Sequence, residues 1–324
     1  MSLLEVALQN LTSPPVLAFA LGLLAVAVKS DLRLPEAVYQ GLSIYLLLGI
    51  GIKGGVALSS TTLNEVWLPI AATLLLGIAT PALAFWILGL VTKLDPVNKG
   101  ALAAHYGSTS LVTFTAALIF LESQKTFVEG YLATLLAILE IPGIIVGLIL
   151  ASRGLNRKVN WRESMVEVLA GRSILLLAGG VLLGFVTGDA GYQRIEPFFG
   201  ALFTGVLTLF LLEMGIVAGR RLPDIKKAGF GIVAFGTIFP LLAGSLGVIT
   251  GHLAGLSAGG SAVLGVLAAS ASYIAAPAAV RLALPEASPG IYLTASLGIT
   301  FPFNLIVGIP VLVSLSFYFE GIGL

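Results

Sequence analysis

The chain contains no cysteine, which excludes disulfides, thiolate metal sites and thiol catalysis. Charge is nearly as scarce, at 10% of residues, where a soluble domain carries roughly 25%. Only two histidines occur, His105 and His252. They fall in different apolar stretches without a nearby carboxylate, so a nucleophile–base pair or a His/Asp/Glu metal cluster is not expected, and the chain does not read as an enzyme. No glycine-rich loop ends in Lys-Ser or Lys-Thr, which argues against an ATP-driven pump. No stretch is long and polar enough to be a soluble output domain, and no nucleic-acid partner or organic cofactor is expected. The opening MSLLEVALQNLTSP carries Glu5 and no basic residue, so it lacks the positive start of a secretory signal.

What is present is apolar. Hydrophobic residues make up 57% of the chain and the mean hydropathy is +1.04, so the lipid bilayer is the expected solvent. A membrane helix needs about 20 mostly apolar residues. Ten such stretches centre on Leu21, Leu46, Ile78, Ser110 and Leu136, then Leu176, Thr208, Leu242, Ala271 and Phe303. The sequence also reads twice. GIATPALAFWILG from Gly77 lies over GTIFPLLAGSLG from Gly236, GIKGG at 51–55 over GIVAG at 215–219, and GSTSLVTFTAALI from Gly107 over ASASYIAAPAAVR from Ala269. The common offset of about 160 residues is that of a duplicated membrane domain. With five stretches in each half, the second copy must enter the membrane inverted. The expected fold is therefore an all-α integral membrane protein of ten transmembrane helices. The first repeat covers 1–152, a cytoplasmic linker 153–164 and the second repeat 165–324.

Lysine and arginine favour cytoplasmic loops. With the N-terminus outside, the inner loops collect Lys29, Arg33, Lys93, Lys99, Arg153, Arg157, Lys158, Arg162, Arg220, Arg221, Lys226 and Lys227, and the outer loops hold only Lys125 and Arg194. The expectation is a multi-pass protein of the inner (plasma) membrane with both termini outside.

The fourth and ninth stretches look least like continuous helices. HYGSTSLVT from His105 and SASYIAAP from Ser270 place small and hydroxylated residues in mid-span. Ser108 and Ser110 stand opposite Ser270 and Ser272 in the repeat. Ser and Thr compete for backbone hydrogen bonds and Pro277 cannot donate one, so both stretches are expected to be broken helices. An unwound backbone in lipid survives only where protein or a wet cavity satisfies it. Half-helix ends there would offer N–H groups and positive dipole ends to a small anion, and free carbonyls to a cation such as sodium. The expected substrate contacts are Gly107, Ser108, Thr109, Ser110, Thr113, Ser270, Ala271, Ser272, Tyr273 and Ile274, with Ser110 and Ser272 as candidate sodium ligands. The alternative is that the small residues serve close helix packing.

Ionisable residues within spans are costly and tend to be functional or paired. Glu140, before Pro142, suits a cation ligand or a cap on a broken backbone, and the matching segment carries Asn304. Lys53 and Glu213 lie on repeat-related helices and suggest an ion pair acting as tie or gate, unless Lys53 snorkels to an interface. His105 precedes the first break and could titrate near neutrality, although packing is the commoner role. Arg172 and Arg281 are expected near the inner face, and His252 at an interface.

The order GIKGG, NEVWLPIA, the Ser/Thr break, LES and EIPGIIV, then LGVLAASASYIAAPAAVRLALPEASPGIYLTASLGIT from Leu264, resembles the SbtA-type sodium-dependent bicarbonate transporters over nearly the whole chain. That resemblance implies a homotrimer of ten-helix inverted repeats, a core domain moving against a gate domain, and a site between the broken helices. It also implies bicarbonate as substrate and sodium as coupling ion, with import by an elevator-like motion. The family's PII-like regulator, SbtB, docks on the cytoplasmic side, but the long insert that the best-known members carry between the repeats is missing. The chain also departs from the family pattern in having Tyr273 in place of an acid and Glu140 in place of Asp. Another small anion or carboxylate, a proton as coupling ion, or a membrane sensor that binds without translocating remain the alternatives.

Overall fold

A computed structural model describes residues 8, 10–155 and 159–323. Among the described residues the chain is helical without strands. Its principal helices are α1 (Pro14–Ala27), α2 (Glu36–Ser59), α3 (Leu63–Val91), α4 (Pro96–Gly107), α5 (Leu111–Ser123) and α6 (Leu132–Ser152). They continue with α7 (Trp161–Leu169), α8 (Arg172–Gln193), α9 (Phe203–Ala228), α10 (Phe230–Leu253), α11 (Ala258–Ala269), α12 (Ala276–Ala283) and α13 (Pro289–Gly321). Among the described residues eight candidate membrane spans are long and apolar enough to cross, with α4 and α5 counted as one unit over Pro96–Ser123. The stretches around Leu21 and Ala271 fall short. Pro14 and Pro15 start α1 abruptly, so it has only 14 residues, and α11 stops after 12 at Ser270.

Small residues set how the helices cross. α1 lies along α9 and α2 along α8. At each crossing two glycines face one another: a Cβ on Gly215 would sit 3.0 Å from the Gly22 Cα, and one on Gly51 3.0 Å from the Gly180 Cα. Any side chain there would push the backbones apart. The remaining helices form a second packed group, in which α4 rests on α3 and α6, and α11 rests on α10 and α13.

Polar caps fix the ends that lead into the interrupted segments. The Asp95 carboxylate accepts from the Val97 and Asn98 amides at 2.9 and 3.0 Å and starts α4. Asn98 Oδ1 then accepts from the Ser288 amide at 2.8 Å. Glu129 plays the matching part at α11, accepting from the Ser257 amide at 2.6 Å and its hydroxyl at 3.0 Å, while Ser257 Oγ caps Gly260 at 3.0 Å.

Two further features differ from expectation. The segment read as a linker ends in α7, whose Trp161–Leu169 run crosses position 164; its residues 156–158, including Arg157 and Lys158, lie outside the described residues, as do residues 1–7 with Glu5. The last span is irregular, with widened π-type turns over Thr294–Thr300 and Asn304–Gly308. Pro302 and Pro310 each remove one donor from the helical ladder there.

Candidate functional site

Helical hydrogen bonding stops after Gly107 and resumes at Leu111, and stops again after Ala269 to resume at Ala276. The two non-helical stretches meet inside the protein. The Ser110 amide donates to Ser270 Oγ at 2.9 Å, and the Ser272 amide donates to the His105 carbonyl at 2.7 Å. Each stretch therefore satisfies part of the other's backbone, as burial in an apolar setting requires.

The matched serines act first as caps. Ser110 Oγ accepts from the Thr113 amide at 3.3 Å and from Thr113 Oγ1 at 3.0 Å, and donates to the Tyr273 hydroxyl at 3.3 Å. Ser272 Oγ accepts from the Ala276 amide at 3.2 Å at the start of α12. With both lone pairs of Ser110 Oγ engaged, that oxygen has no free pair for sodium in this conformation. Ser270 Oγ donates to the Leu267 carbonyl at 2.8 Å.

A cavity of about 10 Å³ opens at the crossing between Thr109, Ser110, Glu140, Ser272, Tyr273 and Ile274, with Ser173 on its α8 side. The amides of Thr109, Tyr273 and Ile274 have no acceptor among the described residues. Glu140 is buried and its Oε2 has no hydrogen-bond partner; Ser108 Oγ and Asn304 Oδ1 are likewise buried and unpaired. Of these, Thr109, Tyr273, Ile274 and Glu140 line the cavity, and residues with free amides beside a free carboxylate oxygen suit an anion and an oxygen-liganded cation together. Gly143 lets α6 reach this point: a Cβ there would lie 1.8 Å from the Gly107 carbonyl oxygen.

The model of the Na+-dependent bicarbonate transporter superfamily matches residues 14–316, which include both interruptions and everything that lines the crossing. The chain belongs to that superfamily. No individual curated protein matches it.

In this superfamily member, Gly107, Ser108, Thr109, Ser110, Thr113, Ser270, Ala271, Ser272, Tyr273 and Ile274 fall on or directly beside the two crossing stretches. Glu140 and Asn304 come to them from α6 and α13; Asn304 Nδ2 donates to the Ala269 carbonyl at 2.8 Å, closing the end of α11. Lys53 and Glu213 stay away, and the expected ion pair between them does not form. The Lys53 ammonium sits 4.6 Å from the Phe203 ring centre, while Glu213 accepts from the Leu34 amide at 3.0 Å. Each has found a local partner, an aromatic face and a loop amide, that its position in the repeat did not foretell.

His105 is packed rather than poised: its ring stacks on Tyr292 at 4.4 Å and its Nδ1 meets the Ala101 carbonyl at 2.7 Å. His252 is more than interfacial, since its Nε2 reaches Ser316 Oγ at 2.9 Å across to α13. Ser173 was not legible as a site residue, because nothing in its α8 sequence marks the contact with the crossing. Beside the crossing a larger cavity of about 490 Å³ includes Glu36, Gln40, Glu167, Arg172 and Arg281 in its walls.

Proposed function

We propose that this protein is a secondary active transporter that imports bicarbonate together with sodium across the plasma membrane. The observation that carries this reading is the crossing itself. Two matched, interrupted helices bring the unbonded amides of Thr109, Tyr273 and Ile274 to the same small cavity as Glu140. The amides, with the positive ends of α5 and α12, suit the carboxyl oxygens of bicarbonate. The Glu140 carboxylate supplies the oxygen charge for sodium, and the cation in turn offsets the anion beside it, so that neither binds well alone.

The architecture we infer is two inverted repeats of five membrane passages, in which the short α1 and the α11–α12 pair complete the ten. The repeat is supported by packing: Gly51 and Gly215 match in sequence and each seats against a glycine of its neighbour. In this reading α1, α2, α8 and α9 form one unit and the other helices a second, which carries the crossing and slides against the first. The cluster of basic residues in alternate loops supports both termini outside. The homotrimer implied by the family resemblance belongs to the same proposal.

The test is uptake of labelled bicarbonate into proteoliposomes with and without an inward sodium gradient. Sodium should stimulate accumulation, and Glu140→Gln, which keeps the shape and removes the charge, should abolish that stimulation. Uptake indifferent to sodium would overturn the coupling. No uptake by folded protein would overturn the function.

A further inference from the structure

The crossing has a volume of about 10 Å³, room for about one water molecule. Bicarbonate is larger, so a wall must move before the anion can enter or leave. On one side lies the 490 Å³ vestibule with Arg172 and Arg281. Ser173, Tyr273 and Ile274 line both spaces. Of these, Ser173 is small and built into α8, whereas Tyr273 and Ile274 belong to the non-helical stretch. Tyr273 is the larger of the two.

Two contacts define its position. Ser110 Oγ donates to its hydroxyl at 3.3 Å. Its ring meets Phe301 edge-on, with centroids 5.3 Å apart. Its own amide has no acceptor among the described residues, so a shift of the backbone that carries the ring breaks no hydrogen bond of that amide. A single long hydrogen bond between neutral hydroxyls holds a group weakly, which suits a part that must open repeatedly.

We propose that the Tyr273 side chain is the gate between the crossing and the 490 Å³ vestibule, its ring forming the wall and its hydroxyl, held by Ser110, forming the latch. This rests on the transport reading and adds to it the residue that controls access to the bound anion. A neutral phenol can seal the opening without adding a fixed negative charge where an anion must pass.

The absence of cysteine permits a direct test in the otherwise native chain. Leu177→Cys places a thiol in the crossing behind Tyr273, and Ala278→Cys places one in the open vestibule. Each is combined with Tyr273, Tyr273→Phe or Tyr273→Ala in lipid nanodiscs and treated with a sulfonated methanethiosulfonate reagent. Ala278→Cys should react quickly in all three, and a symmetric size-exclusion peak matching that of the parent reports the fold of each variant. Leu177→Cys should react slowly behind Tyr273, faster behind Phe, and about tenfold faster behind Ala, in proportion to a tenfold larger open fraction.

Equal rates at the two positions in the Tyr273 protein would overturn the gate. So would slow reaction of Leu177→Cys after Tyr273→Ala while Ala278→Cys stays fast. A Tyr273→Phe protein as slow as the parent would overturn the latch. A parent that shows gated labelling but no bicarbonate uptake would overturn the transport reading and leave the gate standing.

Discussion

At the scale of single residues, hydroxyls hold the crossing together. Ser270 Oγ accepts from the Ser110 amide and donates to the Leu267 carbonyl. Ser270→Ala leaves that amide buried without an acceptor, a loss of about 1–3 kcal/mol. The variant should melt at a lower temperature and transport less, and Ser270→Thr, which keeps the hydroxyl, should recover most of both; an unchanged melting point for Ser270→Ala would remove the hydroxyl from this account. Lys53 and Glu213 lead to the opposite kind of prediction. Because Lys53 lies against Phe203 and Glu213 against the Leu34 amide, the effects of Lys53→Ala and Glu213→Ala on stability should add to within about 0.5 kcal/mol in the double variant. A rescue of one by the other would mean that the two side chains interact after all.

At the scale of helices, the cap on α4 can be read by pH. Burial pushes the Asp95 carboxyl up, but hydrogen bonds from the Asn98 side chain and from the Asn98 and Val97 amides outweigh it and hold its pKa below the usual carboxylate range. A carboxylate with a depressed folded value stabilises the fold fully above its unfolded pKa of about 3.9 and stops doing so as pH falls through the lower folded value. Asp95→Asn should therefore flatten part of the loss of melting temperature below about pH 4, and Asp95→Ala should cost about 1 kcal/mol at neutral pH. An acid profile identical to that of the parent would count against the cap. The helices themselves were largely legible, because an uninterrupted apolar run has few other fates in a chain this poor in charge. The interruptions were legible for a related reason, since Ser, Thr and Pro in mid-span each weaken the backbone ladder. The sequence marked each break, but the register between them, with Ser110 bonded to Ser270 and Ser272 to the His105 carbonyl, depends on how distant helices pack. α7 was hidden because its nine residues mix charged and apolar side chains and are too few to read as a span, and the widened turns of α13 because one extra residue in a turn leaves an apolar pattern almost unchanged.

At the scale of the whole molecule, the duplicated sequence suggested which helices correspond, but not which side chains touch. Lys53 and Glu213 sit on helices that correspond in the proposed repeat, yet do not meet, since the two-fold axis of such a repeat would relate their surroundings and bring only residues near it together. Ser110 and Ser270, at the crossing, do meet. The transport reading requires the unit that holds the crossing to move relative to α1, α2, α8 and α9, and two pairs of neighbouring positions allow a test. A Cβ on Gly298 of α13 would lie 3.3 Å from the Arg221 Cβ of α9, and one on Gly219 of α9 would lie 3.1 Å from the Val26 Cβ of α1. Both separations approach the roughly 3.5–4.5 Å that a disulfide spans. Arg221→Cys with Gly298→Cys ties the two units together, whereas Val26→Cys with Gly219→Cys stays within one of them. Oxidising the first pair should stop bicarbonate uptake and reduction should restore it; oxidising the second pair should leave uptake running. Full uptake with the first pair completely cross-linked would rule out relative motion of these units, and transport would then have to proceed by side-chain gating at the crossing alone.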